Sequence, residues 1–248
     1  MSLDSSFWTI SFWELTRSFV VDTCMYPLEV IKVHQQKPGS HEKSHHIAWR
    51  LFNQNGYGVF YHGFRQEAGK ILLKTFAWPI VVEMPRFLER WVVDPLMQQA
   101  LTGVTIGTAS AVISAPLESK RIDSIVKEKK SFSKYQGFVT HWKKLTAGWT
   151  VFLVAQKYLR STYLTYTGQE KLTAVQLGAV GTSVALLVSL TSAPFDVANT
   201  QKMGHNVRLT LTKEAPRLLF RGFPLSAFIR VASSIASVVL IDYLNRKK

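Results

Sequence analysis

The chain has 248 residues, of which 30 are lysine or arginine and 16 are aspartate or glutamate, so its net charge is +14. Apolar residues make up 47% of the chain and aromatic residues 12%, a composition that excludes an intrinsically disordered protein. Because Cys24 is the only cysteine, a disulfide scaffold and a cysteine-based zinc site are also excluded. A basic soluble protein and a membrane protein with basic loops remain.

Six apolar segments follow one another along the chain. Two of them carry no charge over 23 and 24 residues, and about 20 apolar residues suffice to cross a bilayer. The other four contain charged residues, which a helical bundle tolerates where they face a water-filled interior. The pattern predicts an all-α membrane protein with six transmembrane helices around a central cavity; buried core helices of a soluble protein are the alternative. In chain order the segments are Phe7–Val33, Phe64–Trp91, Pro95–Leu117, Ala147–Thr167, Leu172–Phe195 and Gly222–Leu244.

A polar stretch between the first two segments contains His41, His45 and His46. Clustered histidines are compatible with metal binding, but histidines in a polar loop are more often simply exposed. We therefore expect exposed loop histidines and no metal site.

A short motif recurs near the ends of three apolar segments. It consists of a proline, any residue, an acid, two further residues and a base, and the third copy has Asn199 in place of the base. Three copies in order predict an internal repeat. The copies are Pro27-Leu28-Glu29-Val30-Ile31-Lys32, Pro116-Leu117-Glu118-Ser119-Lys120-Arg121 and Pro194-Phe195-Asp196-Val197-Ala198-Asn199.

Small residues precede the second and third copies at equal offsets. Gly103 and Gly107 lie 13 and 9 residues before the second proline, and Gly181 and Ala185 lie at the same offsets before the third. Small residues four apart let helix backbones approach closely. We expect tight helix packing at both places.

A glycine turn follows the motifs. Tyr61-His62-Gly63 and Phe220-Arg221-Gly222 each combine an aromatic residue, a basic residue and a glycine before the next apolar segment. Thr146-Ala147-Gly148 is the predicted counterpart in the middle of the chain, without the aromatic and the base. Each glycine is expected to open a helix.

These motifs resemble those of the mitochondrial carrier family. Its repeat runs from a helix ending in the proline–acid–base motif, through a short surface helix, to an aromatic–base–glycine turn that opens a second helix. The resemblance extends over essentially the whole chain and implies three tandem repeats in one integral membrane domain, with pseudo-threefold symmetry. The implied repeats are 1–94, 95–170 and 171–248. The motif prolines lie 89 and 78 residues apart, closer than in the family, so shortened loops are expected.

The resemblance also implies a gate that closes one end of the cavity. A proline inside a helix removes a hydrogen bond and kinks the axis, which would bring the three helices together at Pro27, Pro116 and Pro194. The acid of one motif is expected to pair with the base of the next, and Gln201 is expected to brace a gate pair from beneath. The expected pairs are Glu29–Arg121 and Asp196–Lys32 as ionic links, and Glu118–Asn199 as a weaker hydrogen bond.

Positive residues inside the even-numbered segments are the candidate substrate contacts. Counted from the opening glycines, Lys70 lies seven residues past Gly63, Arg230 eight past Gly222 and Arg160 twelve past Gly148. Three cations in one cavity attract an anion, because low-dielectric walls focus their field; snorkelling to lipid headgroups is the alternative. The expected substrate-binding residues are Lys70, Lys74, Ala155, Gln156, Arg160 and Arg230.

The resemblance therefore implies a monomeric transporter, an exchanger that moves an anionic metabolite across the mitochondrial inner membrane by alternating access. A nucleotide, phosphate and a carboxylate all fit a cationic cavity. The chain lacks a nucleophile–base pair and a phosphate-cradling glycine loop, so neither enzyme activity nor a cofactor is expected. The turn residues Gly63, Gly148, Arg221 and Gly222 resemble the family's cardiolipin sites, because helix N-termini attract phosphate groups.

Two other functions stay open. A carrier-derived membrane adaptor or organiser without transport is favoured by Asn199 in the third motif and by the incomplete middle turn. A nucleic-acid-binding protein is suggested only by the net charge, and the scattered basic residues argue against it, so no nucleic acid partner is expected. Another organelle membrane, or the mitochondrion of a host, is the alternative location.

Overall fold

The structure, a computed structural model, describes residues 5–38, 40, 42–88, 90–126, 135, 137–205 and 220–246. Within the helices, no side chain is described for residues 5–11, 14, 74–83, 85–86, 204–205 and 240–246. The described residues form seven α-helices and one short 3₁₀ helix, with no strand among them, which confirms the predicted all-α fold. The helices are α1 (Ser5–Gln35), α2 (Ser44–Asn55), the 3₁₀ helix (Tyr57–Tyr61), α3 (Phe64–Leu88), α4 (Pro95–Val126), α5 (Phe138–Thr167), α6 (Ala174–His205) and α7 (Phe223–Arg246).

Among the described helices, two are long and apolar enough to cross a membrane. They are α4, which contains the first uncharged run of the sequence, and the Ala174–Met203 part of α6, which contains all but two residues of the second. A shorter apolar stretch, Phe223–Val239, lies in α7. At about 1.5 Å per residue, the 32 residues of α4 rise about 48 Å, more than the roughly 30 Å hydrocarbon core of a bilayer.

The long helices pack side by side in a closed ring. Each contacts its successor in the order α1, α3, α4, α5, α6 and α7, and α7 returns to α1. The main buried apolar cluster joins α1, α2, the 3₁₀ helix, α4 and α6, and its members include Tyr26, Ile47, Phe60, Ile122 and Met203. The helices are therefore fixed to each other around the end of the ring where α1, α4 and α6 carry their motifs.

The small residues bring helices into close contact, as predicted. A Cβ atom added to Gly103 or Gly107 of α4 would lie 2.5 Å from the Cα atom of Thr150 or Thr146 of α5. A Cβ atom on Gly181 of α6 would collide with the hydroxyl of a serine on α7. A side chain at Gly103 or Gly107 would push α4 and α5 apart, because the neighbouring atoms belong to the backbone, whereas at Gly181 the serine side chain would have to move.

The short helix α2 lies beside α1, where the resemblance implies a surface helix. Ile47 and Leu51, four residues apart, form its buried face, whereas Trp49 is exposed. His45 and His46 are exposed as expected, but they belong to α2 rather than to a loop. His41 lies outside the described residues.

The predicted start of the fourth segment is wrong. α5 begins at Phe138, directly after Gly137, whose φ of +75° is a left-handed conformation that glycine adopts readily. Gly148 lies inside α5, so it offers no helix N-terminus to a lipid phosphate. The sequence Tyr135-Gln136-Gly137 retains the aromatic residue and the glycine of the other two motifs, but glutamine replaces the base.

Candidate functional site

The acids and bases of the proline motifs lie on one face of their helices. Each proline lies inside its helix, and α1, α4 and α6 continue beyond it by eight or more residues. Residues three apart are neighbours on a helix surface, so acid and base of one motif can meet. Glu29 approaches Lys32 to 2.8 Å, and Glu118 approaches Arg121 to 2.8 Å.

Both expected ion pairs between helices are present. Arg121 of α4 lies 3.7 Å from the Glu29 carboxylate of α1, and Lys32 of α1 lies 3.3 Å from the Asp196 carboxylate of α6. These pairs connect the three helices that carry the proline motif. Lys32, Arg121 and Asp196 are each at most 5% exposed, so the Lys32–Asp196 pair is shielded from solvent. The Glu29 side chain is 22% exposed, so its pair with Arg121 is only partly shielded.

The expected hydrogen bond between Glu118 and Asn199 is not made. The Asn199 side chain is buried, and its oxygen lies 3.4 Å from Thr140 Oγ1, which donates its hydrogen to the Gly137 carbonyl at 2.7 Å. Its Nδ2 atom has no hydrogen-bond partner among the described residues. Glu118 is held by lysine and arginine side chains instead, because an ammonium or guanidinium group binds a carboxylate more strongly than a neutral amide does.

Gln201 links α6 to α1 without touching a gate pair. Its Nε2 atom donates to the backbone carbonyl of Gln36 at 3.2 Å. The neighbouring Thr200 hydroxyl donates to the Gln36 side-chain oxygen at 2.8 Å. The hydrogen bond of Gln201 therefore reaches Gln36, nine residues after Pro27, and not the Lys32–Asp196 pair that the resemblance led us to expect.

Helix α3 adds two charged residues that the motifs do not contain. Lys70 lies 2.6 Å from Glu67 on its own helix and 2.6 Å from Glu118 on α4. Arg121 lies 3.3 Å from Glu67. Lys70 was expected as a substrate contact, whereas Glu67 was not expected at all.

Lys144 of α5 is the functional candidate that sequence reasoning missed. It lies 2.5 Å from Asp196 and 3.9 Å from Glu118. Lys144 follows Gly137 by seven residues, as Lys70 follows Gly63. Once Gly137 is taken as the opening glycine, the spacing alone would have identified this lysine.

Eight charged side chains, four acidic and four basic, take part in these contacts, and we refer to them as the ionic cluster. The described contacts give every cation two or three carboxylate neighbours and every carboxylate two or three cations, so the four charges of each sign balance. Six of the eight form a closed loop of alternating charge, in the order Lys32, Asp196, Lys144, Glu118, Arg121, Glu29 and back to Lys32. The members are Glu29, Lys32, Glu67, Lys70, Glu118, Arg121, Lys144 and Asp196.

Arg230 of α7 is a cation at the edge of the ionic cluster. It donates to the Ser192 hydroxyl at 2.9 Å, and within the described part of the chain it forms no ion pair. Its charge is nevertheless close enough to act on Asp196. Arg230 thus adds a positive charge beside a cluster that is otherwise neutral.

The remaining residues expected to contact substrate on α5 lie elsewhere. Arg160 follows Lys144 by 16 residues, which corresponds to about 24 Å along the helix, and both Arg160 and Gln156 are exposed. Ala155 packs against the valine cluster of α6 around Val184. The structure therefore does not bring Ala155, Gln156 or Arg160 together with Lys70 and Arg230, because the wrong glycine was used for the count. The Lys74 side chain lies outside the described residues.

The three turn glycines all contact motif helices. A Cβ atom on Gly63 would lie 3.0 Å from the Arg121 carbonyl oxygen of α4, one on Gly137 would lie 2.7 Å from Met203 Cγ of α6, and one on Gly222 would lie 2.7 Å from Lys32 Cγ of α1. All three have φ between +75° and +80°. Each glycine thus allows the start of one helix to pack closely against the motif helix that comes next around the ring.

The ionic cluster can exchange partners but has no evident covalent chemistry. Its members are carboxylates, amines and a guanidinium that already neutralise each other, so an incoming anion would compete with the carboxylates for the cations. The sequence matches no protein-family model, and it has no significant match among curated proteins. The geometry of the site therefore carries the functional argument.

Proposed function

We propose that the chain is a transporter of the mitochondrial carrier type that moves an anionic metabolite across the mitochondrial inner membrane by alternating access. A nucleotide, phosphate or a carboxylate is the substrate, and exchange is the mode. The observation that carries the proposal is the closed loop of alternating charge, because it ties the three proline-motif helices together where such a transporter needs a closed gate.

The arrangement of the ring supports three helical hairpins as the repeating unit. In this proposal α1 with α3, α4 with α5, and α6 with α7 form the hairpins, and all six long helices cross the membrane. Each hairpin contributes one turn glycine, and each glycine packs against the first helix of the next hairpin. Contacts that pass from each unit to the next, and from the last to the first, are what pseudo-threefold symmetry requires.

The cations of the second helices are the proposed substrate contacts. Lys70, Lys144 and Arg230 lie seven, seven and eight residues after the turn glycines of the three hairpins. In the closed arrangement two of them hold gate carboxylates, since Lys70 pairs with Glu118 and Lys144 with Asp196. An anion that binds these lysines would draw Lys70 away from Glu118, and Lys144 away from Asp196 and Glu118. The two Lys144 contacts belong to the loop that holds the gate shut, so the loop would open at Lys144, while Asp196 keeps Lys32 and Glu118 keeps Arg121.

Lipid binding at the outer face follows from the same turns. Gly63 and Gly222 immediately precede the first turns of α3 and α7, whose backbone N–H groups favour phosphate. Arg221 adds a positive charge beside the α7 turn. We propose a lipid phosphate, that of cardiolipin, at these two turns.

A transport assay with matched variants tests the proposal. The purified protein is reconstituted in liposomes loaded with unlabelled counter-substrate, and uptake of radiolabelled ADP, phosphate and malate is measured. We expect exchange of at least one anion, and at least a tenfold loss in Lys144→Gln and Arg230→Gln, the order of magnitude for losing a charge-assisted contact. Arg160→Gln is the matched control, because this arginine is exposed and remote from the ionic cluster. Absence of exchange with all three anions, or an equal loss of exchange activity in the control, would refute the transport proposal.

An adaptor without transport is the second candidate, and Asn199 favours it. The third motif cannot supply a charge, and the buried Asn199 Nδ2 atom has no partner among the described residues. In an adaptor descended from a transporter, the gate would keep only two of the three interhelical links that the motifs predict. The liposome assay separates the candidates, because an adaptor exchanges none of the anions while retaining its membrane association.

A further inference from the structure

His141 occupies a buried position beside the ionic cluster. It lies in the first turn of α5, three residues before Lys144, and is 3% exposed. Its Nε2 atom is 2.8 Å from the Ser114 hydroxyl of α4, one helical turn before Glu118. The mechanism proposed above makes no use of this histidine.

The hydrogen bonds of Ser114 assign the tautomer of His141. The Ser114 hydroxyl donates its single hydrogen to the Ser110 carbonyl at 2.6 Å, so it can only accept from the imidazole. The proton of neutral His141 therefore lies on Nε2, and Nδ1 is an acceptor. Nδ1 is buried and has no hydrogen-bond partner among the described residues. A buried acceptor without a donor is uncommon enough to require an explanation.

Burial is the main reason why His141 is neutral in this arrangement, because an imidazolium is poorly solvated at a buried position, and the net positive charge around it adds to this effect. The charges facing it are Glu118 and Arg121 from α4, Lys70 from α3 and Lys144 from α5, three cations against one carboxylate. From α6, Asp196 acts through Lys144, which it holds. A second proton would place another positive charge among these cations, which is unfavourable as long as no anion is present.

We propose that His141 takes up a proton at Nδ1 when an anion binds Lys70 and Lys144, so that the protein moves its anion together with a proton. This inference rests on the proposed transport function and identifies its coupled ion. The bound anion reverses the local balance of charge, and Glu118, released from Lys70, adds a carboxylate close to the imidazole. The proton comes from water, forms the Nδ1–H bond and leaves the Nε2–H bond to Ser114 intact.

Thermodynamic linkage fixes the sign of the effect. If anion binding raises the proton affinity of His141, protonation of His141 raises the anion affinity by the same factor. Anion affinity must therefore increase as the pH falls. One fully linked proton changes the affinity by up to about tenfold per pH unit.

The experiment measures exchange in proteoliposomes from about pH 8 to about pH 6, with radiolabelled phosphate, malate and ADP as separate probes. The variant is His141→Gln, whose amide keeps a donor for Ser114 but does not titrate in this range. His46→Asn, on the exposed face of α2, is the matched control. Dividing each apparent KM by the value for the wild type at the same pH removes the ionisation of the probe itself.

For the probe that is exchanged, we expect the ratio of the His141→Gln KM to the wild-type KM to rise by about tenfold from about pH 8 to about pH 6, and the same ratio for His46→Asn to stay constant. Such a rise means that the variant lacks the increase in anion affinity that the wild type gains as the pH falls. Retention of the wild-type pH dependence by His141→Gln, or exchange by the wild type without any proton dependence, overturns the inference and leaves the transport proposal standing. Failure of all three probes to exchange overturns both. If His141→Gln does not give a cooperative melting transition, His141→Asn serves as the second variant under the same criteria.

Discussion

A substitution at Asp196 is the most direct test of how much the ionic cluster contributes to stability. Its carboxylate is 3% exposed and holds Lys32 of α1 at 3.3 Å and Lys144 of α5 at 2.5 Å. Asp196→Asn keeps the shape of the side chain and removes its charge. Lys32 then retains Glu29 at 2.8 Å, whereas Lys144 retains only Glu118 at 3.9 Å.

The expected cost follows from these remaining contacts. Removing one partner of a buried ion pair costs about 3–5 kcal/mol, and we take the lower end, about 3 kcal/mol, because Lys32 keeps a close carboxylate. For a chain of this size about 1 kcal/mol lowers the melting temperature by about 2–4 °C, so Asp196→Asn should lower it by about 6–12 °C. Lys144→Gln should cost less, since Asp196 keeps Lys32 and Glu118 keeps Lys70 and Arg121.

The measurement is thermal unfolding in detergent, followed by the intrinsic fluorescence of the seven tryptophans. Glu170→Gln is the control, because Glu170 is an exposed carboxylate between α5 and α6. The reasoning is refuted if Asp196→Asn and Glu170→Gln melt at the same temperature, or if Lys144→Gln is the more damaging of the two cluster variants. Either result would mean that the interhelical pairs contribute little to holding the helices together.

Three further predictions use the same unfolding assay. Gly107→Val should destabilise strongly because an added Cβ would lie 2.5 Å from the backbone of α5, whereas Gly178→Ala, with nothing within 4 Å, should be neutral or stabilising. Gly222→Ala should cost more than Gly56→Ala: both glycines have positive φ, but only at Gly222 does a Cβ meet a lysine side chain of α1, at 2.7 Å. Equal losses of stability in the two variants would show that the positive φ alone, and not the contact with the lysine side chain, determines the effect at Gly222. Arg50→Ala breaks an exposed ion pair of 3.0 Å between Arg50 of α2 and Glu42, which precedes this helix, and should cost less than about 1 kcal/mol. A larger loss would contradict the distinction between exposed and buried pairs.

The sequence predicted those features of the site that depend on residues close together in the chain. The proline motif gave the acids and bases of α1, α4 and α6, and the pairs Glu29–Arg121 and Lys32–Asp196 are present as expected. Small residues at equal offsets likewise predicted the close contact between α4 and α5. Such patterns are readable because helix geometry fixes which neighbouring residues share a face.

The contributions of α3 and α5 were harder to predict. Glu67 has no counterpart in any motif, and its contact with Arg121 depends on how α3 packs against α4. Lys144 was missed because Tyr135-Gln136-Gly137 lacks the basic residue of the other turns, which shifted the count to Gly148 and from there to Arg160. The turn was nevertheless recognisable, since a phenylalanine follows the glycine in all three, as Phe64, Phe138 and Phe223.

The shared contacts of the ionic cluster have a consequence for how this end of the helix ring would come apart. Every charged group in the cluster contacts at least two groups of opposite charge. Displacement of one group therefore leaves its neighbours with incomplete charge compensation and favours their release as well. Opening is then expected to be all-or-none, with few half-open states, and closure to restore every contact together. A measured distribution of helix separations should accordingly have two discrete peaks rather than one broad one, which spin labels attached near the ends of α1 and α4 would resolve.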